Sequence, residues 1–126
     1  NYITANVTAD AISMSLGTAP PYTYRGSSCD GVVPDLDNAI HNAISAGISV
    51  VAAAGNSGWN GVSIPGCISD VITVGAVDIN DVRASFSGIG NSLDVVHLEL
   101  TIIQQLLEVV MVQAVEQVSP PQLFLL

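Results

Sequence analysis

A chain of 126 residues, 49% apolar and 10% charged, can bury one modest core. Its formal charge is −9 and its only basic side chains are Arg25 and Arg83, which argues against nucleic-acid binding by phosphate neutralisation and against docking on an anionic membrane. Low charge density with many Ala, Val, Ser and Gly suits a tightly packed α/β protein outside the cytosol.

No initiator methionine and no signal-peptide pattern stand at Asn1, so the chain reads as a fragment. Residues 1–10 read as a helix end or a connector, and Asn6-Val7-Thr8 matches a glycosylation acceptor. Residues 11–16 (AISMSL) predict a short first strand that Gly17 ends. Residues 18–33 are rich in Pro, Gly, Ser and Tyr and predict a loop. A helix is expected over 35–46, where Leu36, Ala39, Ile40, Ala43 and Ile44 recur at helical spacing. Asp35 after Pro34 is its candidate N-cap and Gly47 its C-cap. His41 falls on its polar side and reads as a solvated surface residue.

Residues 48–54 (ISVVAAA) form an apolar run stopped by Gly55-Asn56-Ser57-Gly58. That pattern fits a strand buried on both faces of a parallel sheet. Three alanines at its end leave room for something to lie against the backbone. Asn56 stands at the carboxyl end, the edge where open α/β sheets bind ligands. Its amide N–H can stabilise an oxygen that gains negative charge in a reaction. A glycine-rich loop with Trp59 and Pro65 follows over 56–66, then a third strand over 71–77. Strand, helix, strand in this order implies a right-handed parallel crossover. Residues 78–83 read as a turn and 85–92 as a loop, and 93–96 could add a short fourth strand. Cys29 and Cys67 lie in separate loops. A disulfide in a secreted protein and two free thiols both remain open.

The segments SMSLG, VVAAAGNSG, PGCISDVITVGAVD and RASFSGIGNSLDVV occur in this order. Together, over residues 9–96, they resemble the subtilisin-like serine peptidases. The resemblance implies a partial, doubly wound parallel sheet in an incomplete three-layer α/β/α fold. It implies peptide-bond hydrolysis through a Ser-His-Asp acyl-enzyme, a polypeptide substrate and a secreted protein. Asn56 would be the oxyanion-hole amide. Ser15, Leu16 and Gly17 would pair with the substrate backbone and wall the primary specificity pocket. Ala53, Ala54 and Gly55 would form the opposite wall, small because substrate backbone must approach closely. Ser63 would lie near the pocket base, and Ile64-Pro65 would match a cis peptide. No cofactor is expected. Calcium often stabilises the family, but no Asp cluster has ligand spacing, so no metal site is assigned.

The family's Asp-Thr-Gly and His-Gly-Thr-His motifs do not occur, so the 126 residues as written are expected to be inactive. After Val96 the composition changes: all three glutamates lie beyond it and all eleven glycines before it. Residues 1–96 therefore read as a partial catalytic domain, and 97–126 as an apolar tail of helical composition. In the family, LDVV is followed by Ala-Pro-Gly and later by Gly-Thr-Ser-x-Ala-x-Pro. A one-base slip after Val96 allows both: Met111-Val112 gives glycine without freedom, and the codons from Ala114 to Gln122 allow Ser-Gly-Thr-Ser-x-Ala-x-Pro. The tail thus reads as frame-shifted. An incomplete sheet is expected to leave apolar surface exposed. The competing reading is a non-catalytic α/β binding module. A nucleotide-binding domain is disfavoured because no strand is followed by Gly-x-Gly-x-x-Gly.

Overall fold

The computed structural model describes residues 9–98. The connector expected up to residue 8, the Asn6 triplet, and the tail from residue 99 onward lie outside the described residues. In chain order the elements are β1 (Ala11–Met14), β2 (Thr23–Tyr24), α1 (Pro34–Ser45), β3 (Ser49–Ala53), β4 (Val62–Ser63), β5 (Ile72–Val77) and β6 (Val95–Leu98). Four of the strands form one sheet in the order β1-β3-β5-β6, each pair parallel. The short β2 and β4 pair antiparallel in a second sheet.

Register assigns the faces. Met14 lies beside Ala52 and Ala52 beside Thr73, so these side chains share one face with Ile12 and Val50, two residues back. That face is the packed one. Ile40 and Ala43 of α1 bury against it with Val62, Ile64, Cys67, Ile68 and Val71. The opposite face carries Val51, Ala53, Ile72, Val74, Ala76 and Val95, none of them fully buried among the described residues. Ile72 and Val95 on this face are exposed.

The ends of α1 show why a helix forms there, and differ from expectation at one end. It begins at Pro34, whose fixed φ suits the first helical position. The residue before it, Val33, caps with no side-chain hydrogen bond, so Asp35 is not the N-cap. Asp35 and Asp37 instead sit in the first turn, where carboxylates favour the positive end of the helix dipole. At the other end Gly47 has φ +85°. Its N–H donates to the Ile44 carbonyl at 2.9 Å and the Ile48 N–H to Ala43 at 3.1 Å. This pair of bonds is a Schellman stop, which glycine's positive φ permits.

Three further boundaries move. The first strand ends at Met14, two residues early, which leaves Ser15 and Leu16 beyond the ladder. The second sheet falls inside both expected loops. The fourth strand starts at Val95 and runs to Leu98, so His97 and Leu98 pair with Ala76 and Val77 in the strand rather than opening a helix. Asp94 explains its start. Its carboxylate accepts the Thr73 N–H at 2.8 Å while its own N–H donates to the Thr73 carbonyl at 3.1 Å, which locks the register before the ladder begins.

Candidate active site

The site is built where β1 and β3 end side by side. Ser15, Leu16 and Gly17 follow β1 and are all exposed. Ala53, Ala54, Gly55 and Asn56 close β3 and leave it; Ala54 is buried and Asn56 exposed. Among the described residues the Asn56 side-chain amide has no hydrogen-bond partner, so the fold does not consume its donors.

Ser63 ties the two segments together. It is fully buried. A Cβ added at Gly17 would lie 2.8 Å from the Ser63 Cβ, and one added at Gly55 would lie 2.7 Å from it and closer still to its hydroxyl. Gly55 also has φ +82°, which disfavours any L side chain. The absence of side chains at 17 and 55 thus lets one serine reach both strand ends. Its hydroxyl donates to the Thr18 carbonyl at 2.8 Å and its N–H to the Ala54 carbonyl at 3.0 Å. Thr18 returns the contact: its N–H donates to the Ile64 carbonyl at 3.2 Å, and its hydroxyl accepts the Ile64 N–H at 3.1 Å. Four hydrogen bonds therefore clamp the 63–64 segment beneath the edge. The Ile64-Pro65 peptide is cis, as expected, and so is Pro20-Pro21.

A disulfide joins Cys29 to Cys67, which resolves the alternative left open by the sequence. The Cys29 N–H donates to the Cys67 carbonyl at 2.9 Å. Next to it, Asp30 accepts the Ser69 N–H at 2.7 Å and the Ser69 hydroxyl at 2.6 Å. The Ser69 hydroxyl and N–H, helped by Ser28, hold the Asp30 carboxyl below its ordinary range. His41 is partly exposed, and it has partners. Its Nδ1 lies 2.9 Å from the Asp37 carbonyl and 3.3 Å from the Asp37 carboxylate, and its Nε2 lies 3.9 Å from Asp70. It belongs to α1. Among the described residues no group of three or more His, Cys, Asp or Glu side chains could hold a metal ion, and no helix is long and apolar enough to cross a membrane.

The sequence shows both strands, the first with an end two residues too late, but not how they are joined. The β2–β4 pairing, the Ser63 clamp and the Asp30–Ser69 contact link residues about forty apart, and no local pattern signals them.

A family model described as the subtilase family matches residues 2–102. The chain belongs to the subtilase family. Subtilisin BL of Lederbergia lenta is 48% identical over 61 residues, which cover 48% of this chain and 23% of that protein. Subtilisin DY of Bacillus licheniformis is 44% identical over 90 residues, or 68% of this chain and 29% of that one. Among solved structures, a cold adapted subtilisin-like serine proteinase superposes with a TM-score of 0.59 at 30% identity, covering 77% of this chain and 32% of that one. The chain thus spans under a third of the length of these relatives.

Proposed function

We propose that this subtilase segment carries the oxyanion-stabilising edge and part of the substrate groove of a secreted serine endopeptidase. The observation that carries this reading is Asn56: an exposed amide with no partner among the described residues, at the carboxyl end of a central strand. In the proposed reaction a serine attacks the scissile carbonyl of a polypeptide, and a histidine oriented by an aspartate takes the serine's proton. Negative charge then builds on the carbonyl oxygen. The Asn56 amide donates to it, and because the amide is already in place no reorganisation is needed. Exposed Ser15, Leu16 and Gly17 would receive a substrate strand, with Ala53, Ala54 and Gly55 as the opposite wall and Ser63 near the base; their exposure and the contact of Gly17 and Gly55 with Ser63 support this reading. The family membership supports the reaction class, and the Cys29–Cys67 disulfide supports an oxidising, extracellular setting.

The nucleophilic serine is proposed to be encoded in the shifted frame beyond Val96. Sequencing the DNA from the Val96 codon to the Gln122 codon tests this: a frame that restores Ala-Pro-Gly and Gly-Thr-Ser supports it, and an unambiguous single frame refutes it. The reaction class is tested on the full-length gene product with a blocked chromogenic peptide and a fluorophosphonate. Hydrolysis that stops as one serine becomes labelled is expected. Peptide binding without turnover or labelling would point to a non-catalytic binding module instead.

A further inference from the structure

The two positive side chains of this chain and its one indole meet on the surface. The guanidinium carbons of Arg25 and Arg83 lie 4.8 Å and 5.2 Å from the centroid of the Trp59 ring. Trp59 is 63% exposed. Arg25 is exposed, whereas Arg83 is partly buried and donates from Nη1 to the carbonyls of Ala84 at 3.0 Å and Ser87 at 2.7 Å. Among the described residues the Arg25 guanidinium has no hydrogen-bond partner, and neither arginine pairs with a carboxylate. This is notable in a chain with eleven acidic residues. Stacking on the indole face supports each cation, but two like charges gathered on one ring repel, and a bound anion would relieve that.

The group is held in place from below. Trp59 stands in the turn Gly58–Asn60, whose first residue donates to the Phe86 carbonyl at 2.8 Å and accepts from the Ile89 N–H at 3.2 Å. The Arg25 backbone carbonyl accepts the Asn91 N–H at 2.9 Å, and the Asn91 amide donates to the Gly26 carbonyl at 3.1 Å. The ring supports the Arg25 guanidinium at 4.8 Å, and among the described residues its N–H donors have no partner. A planar fork of donors matches a carboxylate through two parallel hydrogen bonds. Trp59 lies three residues beyond Asn56 on the same loop. Because the rest of the chain is negative, discrimination there comes from local contact rather than long-range steering.

We propose that Arg25, Trp59 and Arg83 form a subsite for an acidic side chain of the polypeptide substrate. The choice of a polypeptide as the carboxylate's source rests on the peptidase reading. Trp59 is the only tryptophan, so its emission reports on the site directly. The chain is titrated with a blocked hexapeptide carrying two adjacent glutamates, with its glutamine counterpart, and with inorganic phosphate. A saturable change with the glutamate peptide is expected, weaker by about tenfold or more for the glutamine peptide and for Arg25→Gln, each of which removes the charge-assisted contact. Arg25→Lys should fall between. The comparison of the two peptides on the unaltered chain stands even if a variant misfolds. Equal responses to both peptides, no saturable response, or phosphate matching the glutamate peptide at equal concentration would each overturn the proposal. Peptide discrimination in this chain alongside a full-length product that hydrolyses nothing would keep the subsite and remove the peptidase. Hydrolysis with no discrimination would do the reverse.

Discussion

The rim of the site and the floor beneath it are built by opposite rules. On the rim, Ser15, Leu16, Gly17 and Asn56 are exposed. On the floor, Val62, Ser63, Ile64 and Cys67 are at most 4% exposed, and the Ser63 hydroxyl and N–H and the Ile64 backbone N–H and carbonyl are spent on clamping hydrogen bonds. The floor sets where the rim stands, while the rim contributes little to holding the floor. Stability and chemistry should therefore respond to different residues a few ångströms apart.

Breaking the floor should cost most. The Cys29–Cys67 bond closes a separation of 38 residues, and loop entropy alone assigns it roughly 4 kcal/mol. A double Cys29→Ala, Cys67→Ala variant should lose that much in a urea titration; a loss below about 1 kcal/mol would show that the floor does not depend on it. Next comes Gly55→Ala. The new Cβ would enter Ser63 at a positive φ, and strain plus overpacking should cost about 3 kcal/mol. An unchanged unfolding midpoint would mean that the serine does not fill the space between the strand ends.

The smallest effect is at Asp30, at the periphery of the floor. Its carboxyl is held below the ordinary 3.8 chiefly by Ser69. A depressed native value means the contribution is complete above the unfolded value and fades as pH falls through the native one. The group is exposed, so the gain should stay under about 1 kcal/mol. The melting temperature of Asp30→Asn should lie slightly below that of the unaltered chain at pH 6, with the gap closing toward pH 3. A gap that widens on acidification would reverse the assignment.

The legible parts of the molecule are those fixed by neighbours in sequence. Residues 48–54 announce a strand because the run is apolar and ends in glycine, although only its Val50 and Ala52 face is buried and not both as the run suggests, and Asn56 is marked by the turn around it. The helix is legible from Leu36 to Ile44, and its stop from Gly47. Its start was misjudged because Pro34 suits the first helical turn and displaced Asp35 inward. Ser63 could be placed near the pocket base only by family resemblance. Its contact with Gly17 crosses 46 residues of sequence, and its contact with Gly55 closes the short loop between β3 and β4. The Arg25, Trp59 and Arg83 group was not legible at all, since those side chains come from three separate loops.

The sharpest separation of rim from floor is Asn56→Ala in the full-length gene product, with turnover and unfolding measured on the same sample. An exposed side chain without internal partners should leave the unfolding free energy within about 0.5 kcal/mol. The kcat should fall about 10²–10³-fold with KM little changed, a range already measured for the oxyanion amide of a subtilisin. A variant that turns over normally, or one whose lost activity is matched by lost stability, would contradict the role given to Asn56.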